Sequence, residues 1–144
     1  MLIGEYRHTV DAKKRLSLPA KFRKEMGESM VMTRGFDNCV YIYPLAEWEK
    51  VTEKLRGLSM GQADTRGFAR FMLSGASDVS LDALGRILIP DFLKEFAKLA
   101  TKVVVVGIND HVEIWDEAMW DTYKKRIESQ ADAMAEKLGE VGVI

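Results

Sequence analysis

The sequence predicts an α+β fold made from one unit used twice. Three observations carry this. The run Asp11-Ala-Lys-Lys-Arg15-Leu-Ser-Leu-Pro19 returns as Asp82-Ala-Leu-Gly-Arg86-Ile-Leu-Ile-Pro90, 71 positions later, and internal self-similarity of this kind decides architecture before anything else. Short, alternating apolar stretches separated by turn residues recur in both halves, as half-buried strands do. Apolar residues spaced three and four apart then mark helices late in each half.

The repeated unit is longer than this run. Upstream, Gly4 matches Gly75 and Val10 matches Leu81. Downstream, an offset of 72 aligns Val31, Gly35, Val40, Ile42, Ala46 and Trp48 with Val103, Gly107, Val112, Ile114, Ala118 and Trp120. Ordinary composition gives roughly one chance identity over such a stretch, so six mark a duplication. The expected organisation is a first repeat at 1–58, a connecting segment with a short helix at 59–74, and a second repeat with a long C-terminal helix at 75–144.

Each repeat should open with a strand, at 4–10 and 76–81. Asp at the start of the next segment and Gly at its fourth position favour a type I turn followed by a left-handed residue. Asp82-Ala-Leu-Gly85-Arg86 has that chemistry. Asp11-Ala-Lys-Lys14-Arg15 carries Lys14 where the glycine would be, so Lys14 is expected at positive φ, an unusual backbone state for lysine. Leu16 and Leu18, like Ile87 and Ile89, then face one side of a second strand. Pro19 and Pro90 suit helix starts, giving helices at 20–26 and 91–99.

Strand-like segments follow at 30–33 and 102–106. Turn residues at 35–38 and 107–110 lead to returning arms at 40–43 and 112–115. Leu45, Trp48, Val51, Leu55 and Leu58 predict a helix at 45–58, and Arg66 to Leu73 a shorter one whose Phe68 and Phe71 are too apolar to leave in water. For the last helix, Asp116 is the expected N-cap and Gly139 the expected stop. Trp120, Tyr123, Ile127, Ala131, Met134 and Leu138 form its apolar stripe. Such a stripe ordinarily packs on its own domain; a seam between subunits is the alternative.

At 144 residues one shared core is expected. Apolar content of 47% against 30% charged residues fits a soluble domain. No run of eighteen apolar residues offers a membrane span, and residues 1–8 lack the apolar stretch of a signal peptide. A single cysteine, Cys39, allows no internal disulfide and suits a reducing, cytosolic setting.

Net charge is only −1, but its distribution is uneven. Residues 1–24 hold seven basic side chains against two acidic ones; residues 110–144 hold nine acidic against four basic. A local anion-binding face would need that asymmetry; a solvated basic surface with no partner is the plain alternative.

Catalysis finds little support. His8 and His111 occupy unrelated repeat positions, Cys39 has no spaced metal-ligating partner, and no nucleophile elbow, Walker loop or dinucleotide fingerprint occurs. No catalytic residue, metal ligand or cofactor site is assigned. Asp11 and Asp82 are expected to shape their turns by accepting backbone N–H bonds two residues on. Arg15 and Arg86 can pair with them, an arrangement that on a surface contributes only ~0–1 kcal/mol. Arg15 stands apart because Arg7, Lys13 and Lys14 neighbour it in sequence. An arginine fork grips phosphate or guanine edges, lysine acts as a point charge, and a two-stranded ribbon fits a major groove. Arg7, Lys13, Lys14 and Arg15, with Arg86 as a lesser candidate, are therefore the expected contacts to double-stranded DNA.

The doubled Asp-x-x-x-Arg…Pro element, Thr33-Arg-Gly-Phe-Asp-Asn-Cys-Val40, Arg70-Phe-Met-Leu-Ser-Gly-Ala76 and Val112-Glu-Ile-Trp115 closely resemble the MraZ proteins of bacteria over essentially the whole chain. The resemblance implies two AbrB-like swapped-hairpin half-units in one chain, with a β-barrel core, peripheral helices and a pseudo-twofold axis. It implies a ring-shaped homo-oligomer, cytoplasmic and nucleoid-associated. It implies a DNA-binding transcriptional regulator that represses the division and cell-wall gene cluster including its own gene, through direct repeats upstream. The family's functional residues fall on Asp11, Arg15, Asp82 and Arg86, with Lys14 departing from the usual glycine. The alternative is an oligomeric scaffold with no nucleic-acid role.

Overall fold

Proline punctuates the chain. Pro19, Pro44 and Pro90 each stand immediately before a helix, with φ between −51° and −59° and extended ψ, where a missing N–H costs nothing and the fixed φ favours the entry. The computed structural model describes residues 1–144. The first half runs β1 (Leu2–Thr9), β2 (Arg15–Ser17), α1 (Ala20–Met26), β3 (Ser29–Arg34), β4 (Val40–Pro44) and α2 (Leu45–Arg56). α3 (Ala63–Ser74) follows. The second half runs β5 (Ser77–Ser80), β6 (Arg86–Leu88), α4 (Asp91–Phe96), β7 (Lys102–Asn109), β8 (His111–Asp116) and α5 (Glu117–Glu140). α1 matches expectation residue for residue; α4 stops three residues early, and α3 begins at Ala63, three residues before the expected start at Arg66.

Six strands form one antiparallel sheet in the order β1-β7-β8-β4-β3-β5, and β2 pairs only with β6. The expected closed barrel is not formed: the sheet is open, with β1 and β5 as edges. β2 and β6, three residues each, bond only to one another as a separate ribbon.

The repeats interleave. β1 pairs with β7, β5 with β3, β4 with β8 and β2 with β6, so every pairing except the β3–β4 and β7–β8 hairpins joins one half to the other. The turn after β1 closes as expected, but the two arms beside it do not pair with each other; each finds its ladder partner in the other repeat. At the centre of the ribbon Leu16 faces Ile87, its own repeat equivalent, flanked by Arg15 opposite Leu88 and Ser17 opposite Arg86. This is the register of a pseudo-twofold axis.

Backbone register also refines the repeat. The β3–β4 and β7–β8 hairpins superpose when Met30 stands for Val103 and Pro44 for Asp116. Two extra residues precede β7 and one is lost at its hairpin tip. Val31/Val103 and Gly35/Gly107 are thus identities at non-equivalent positions, whereas Val40/Val112, Ile42/Ile114, Ala46/Ala118 and Trp48/Trp120 are equivalent.

Three layers result. On one sheet face Met30, Met32, Val40, Ile42, Val103, Val105, Val112 and Ile114 pack against Leu16, Leu18 and Phe22 of the first half and Ile87, Ile89 and Leu93 of the second. On the other face Cys39, Val104, Val106 and Trp115 pack beneath Trp120 of α5. Alternate residues of β7 therefore serve different layers, as the two-residue period of a strand dictates. Asp116 caps α5, accepting from the Met119 backbone N–H at 3.2 Å. Gly139 does not end the helix, which continues to Glu140. The stripe packs on its own domain only at its start: Trp120 is buried, Tyr123 and Ile127 are half-buried, and residues 128–140 are exposed throughout. No helix is long and apolar enough to cross a membrane.

Candidate functional site

The two Asp-x-x-x-Arg turns are built alike, atom for atom. Asp11 donates its N–H to the Arg15 carbonyl at 3.0 Å, and Lys14 N–H bonds the Asp11 carbonyl at 3.0 Å; Asp82, Gly85 and Arg86 repeat this at 2.8 and 3.0 Å. The Asp11 Oδ1 accepts from the backbone N–H of Lys13 and of Arg15, both at 2.9 Å, and its Oδ2 accepts from Arg15 Nε at 2.8 Å. Asp82 accepts from Leu84 N–H, Arg86 N–H and Arg86 Nε at the same distances. These bonds, led by that from the following arginine's backbone N–H, hold both carboxyls below the usual carboxylate range.

Residue four of each turn is left-handed: Lys14 at φ 63° and Gly85 at φ 75°. The expected strain at Lys14 is present. The turns are also locked to the opposite repeat, since the Lys14 carbonyl accepts from Ile89 N–H at 2.9 Å and the Gly85 carbonyl from Leu18 N–H at 3.2 Å.

The ribbon buries Leu16 and Ile87 and turns Arg15, Ser17, Arg86 and Leu88 outward. Arg15 and Arg86 are diagonal neighbours on that face, where such positions lie roughly 7–8 Å apart. Each spends only Nε on its aspartate; neither Nη pair has a partner within the chain. The side chains are 31% and 25% exposed, so the two arginines are similarly placed on the ribbon. Two oriented guanidinium ends on the outward face of a ribbon suit oxygen acceptors of an extended anion or the edges of guanine.

Arg7 does not join them. It faces Val104 across the β1–β7 ladder, and alternate residues of that ladder point to opposite sheet faces. Arg7 therefore lies on the face covered by α5, away from the ribbon. There it bonds Asp121 at 2.8 Å and Glu117 at 3.2 Å. Lys14 is partly neutralised too, by an ion pair to Asp91. Lys13 remains exposed and unpaired on its turn.

Other cations take their place. Arg23 of α1 lies across the second turn so closely that a Cβ on Gly85 would collide with its guanidinium, and Lys24 lines the same cleft. At the other end Lys94 and Lys98 line a cleft with Lys14 and Asp91. Cationic side chains thus stand beside both turns of the ribbon, Arg23 and Lys24 at the second with Glu28 and Asp82, and Lys94 and Lys98 at the first with Asp91 and Glu95. Sequence reasoning missed the helical members. Their signal was the repeat itself, since Arg23 and Lys94 are equivalent positions.

The remaining polar cluster lies on the opposite face. His111 is buried and hydrogen-bonded to Asp110 at 2.7 Å and Glu113 at 3.2 Å, beneath Tyr41 and Tyr43. Burial depresses its pKa, but the two carboxylates outweigh that and raise it. His111 is thus fixed at both ring nitrogens. Cys39 is fully buried, and burial pushes its thiol far up, the condition of an inert cysteine. No group of three His, Cys, Asp or Glu side chains is placed to share a metal ion.

A family model described as "MraZ protein, putative antitoxin-like" matches the chain twice, over residues 1–71 and 72–140. Among similar proteins, a "Transcriptional regulator MraZ" of Moorella thermoacetica is 47% identical over 138 residues, 96% of each chain. The protein of that name from Natranaerobius thermophilus is 46% identical over 138 residues, again 96% of each. One from Desulfitobacterium hafniense is 45% identical over 143 residues, 99% of this chain and all of the other.

Proposed function

This chain belongs to the MraZ family, and from that premise we propose that it is a DNA-binding transcriptional regulator, not an enzyme, whose reading head is the β2–β6 ribbon. The observation that carries this is the pair of arginines on the outward ribbon face, each oriented by its own aspartate and each with both Nη groups free. A two-stranded ribbon is narrow enough for a major groove, and Arg forks read guanine O6 and N7 there. Arg23, Lys24, Lys13, Lys94 and Lys98 flank the ribbon where phosphates would pass, the usual division between positioning and reading contacts.

One such face is small and binds weakly. A ring-shaped homo-oligomer presenting several faces to several direct repeats gains by effective concentration. The target we propose is such a set of repeats upstream of the division and cell-wall gene cluster that includes this protein's own gene. Repression there is occlusion of the promoter, with no bond made or broken. The setting is the cytoplasm, at the nucleoid.

Titration of upstream DNA with Arg15→Ala and Arg86→Ala tests the reading. Each loses about 1–3 kcal/mol per base contact, roughly five- to 150-fold in Kd, and binding falls steeply with salt as counterions are released. Unchanged affinity in both variants removes the ribbon from DNA recognition. Reversing charge at Lys13 and Lys14 separates this from a scaffold role: a regulator loses DNA and keeps its assembly, and a scaffold does the reverse.

A further inference from the structure

The outward face of the ribbon carries four side chains, and they are not one pair used twice. Arg15 stands opposite Leu88, and Arg86 stands opposite Ser17. The repeat makes Arg86 the equivalent of Arg15 and Leu88 the equivalent of Ser17. Each arginine therefore has a directly opposite neighbour of a different kind: an isobutyl group beside Arg15, a hydroxyl beside Arg86. Leu88 is 60% exposed, whereas Ile87 and Ile89 on either side of it are 0% and 1% exposed. Strand alternation turns it outward, and it joins neither core cluster.

A lone exposed leucine is ordinary; its surroundings set this one apart. The other members of the face are two guanidiniums and a hydroxyl. Directly opposite residues of an antiparallel pair have Cβ atoms roughly 4.5–5.5 Å apart, and the Arg15 Nε is tied to Asp11 at 2.8 Å, so the arginine fork is held beside Leu88. When that fork grips a base edge in a groove, Leu88 is pressed against the edge next to it. A polar edge buried there would go unpaired, because leucine neither donates nor accepts a hydrogen bond. Of the base edges displayed in a major groove, one alone carries an apolar group, the C5 methyl of thymine.

We propose that Leu88 is a specificity-determining residue, which packs on the C5 methyl of a thymine neighbouring the guanine that Arg15 takes. Ser17, its repeat equivalent, sets no such requirement beside Arg86, since a hydroxyl donates to or accepts from either kind of edge. The demand for thymine belongs to the Arg15–Leu88 pair and not to Arg86–Ser17. This rests on the ribbon's role as the reading head and names a base it selects besides guanine.

Thymine and uracil pair alike and differ only in that methyl, so replacing every thymine of the upstream fragment by deoxyuridine removes the group and keeps the hydrogen-bonding edges. In titrations of the full chain, the parent binds the deoxyuridine fragment about fourfold more weakly for each methyl touched. Leu88→Ala binds both fragments equally, and Leu88→Met restores the preference. Leu84, 69% exposed on the second turn and off the ribbon rows, is the control: Leu84→Ala keeps the parent's preference. All three variants melt with the parent, since both leucines face solvent. A parent that binds the two fragments alike overturns the proposal, as does a Leu88→Ala variant that keeps the parent's preference. Arg15→Ala and Arg86→Ala, measured alongside, separate the two readings. Lost affinity in the arginine variants without any thymine preference strikes out Leu88 alone; arginine variants that bind like the parent remove the ribbon and Leu88 together.

Discussion

Truncating Leu16 to alanine tests the interleaved core at its most informative point. Leu16 is 0% exposed, and so is Ile87, the residue it faces across the ribbon. Both project into the core shared by the two halves. Leu→Ala at such sites costs 2–5 kcal/mol through lost transfer free energy and the cavity left behind. With no solvent-facing side to collapse from, about 3 kcal/mol is expected here, roughly 10 °C in Tm for a chain of this size. That is a large share of the ~5–15 kcal/mol total of a typical domain. Ile87→Ala costs a similar amount. The double variant costs about 1 kcal/mol less than the sum, because the first truncation already removes the contact the second would lose. Ser17→Ala, facing outward on the same ribbon, stays within about 0.5 kcal/mol of the parent. Urea denaturation followed by tryptophan fluorescence and by circular dichroism measures all four, and the two probes move together because neither half has a complete sheet alone. A Leu16→Ala cost below about 1 kcal/mol, strict additivity of the pair, or two separated transitions would refute the cross-repeat register.

Other expectations follow from the same geometry. Arg7→Ala leaves DNA affinity within about twofold of the parent in a filter-binding assay, because Asp121 and Glu117 already hold that guanidinium on the α5 face. Gly85→Ala places a Cβ at left-handed φ and displaces Arg23; thermal melts show a loss of about 1–2 kcal/mol, whereas Lys14→Gly relieves the same backbone state. The raised pKa of His111 means the folded protein binds its proton more tightly than the unfolded chain. Its contribution is complete below the ordinary histidine value, near 6.5, and is lost as pH rises through the folded value. His111→Gln flattens that part of the stability-versus-pH curve. The lowered carboxyls of Asp11 and Asp82 work oppositely: their contribution is present above the ordinary carboxylate value and is lost as pH falls through the folded value, seen as a stability curve that falls more steeply toward acid for the parent than for Asp11→Asn, which starts lower near neutral pH.

Local chemistry made much of this legible. The Asp-x-x-x-Arg turns, the helix at Ala20–Met26, the Asp116 cap and the left-handed Lys14 all follow from residue type and near neighbours. What lay hidden is non-local. Turn chemistry at Asp11 and Asp82 reads as a simple hairpin, and nothing nearby says that each arm pairs in the other repeat. The same hairpin picture put Arg7 beside Arg15. Following the strand period from Tyr6, which packs on the ribbon-side core, would have sent Arg7 to the far face. Gly139 resembled a stop because glycine so often is one, yet the helix passes through it and ends at Glu140. The identity of Val31 with Val103 came from composition, and only the hydrogen-bond ladders show which residue stands opposite which.

The ribbon has a consequence for direction. Were its halves the same chain twice over, turning it end for end would change nothing, and a bound duplex could be read equally well either way. Here one end carries Lys13 and Lys14 and the other Leu84 and Gly85. The molecule thus has a front and a back along the ribbon, and successive copies laid in one orientation match sites that all point the same way.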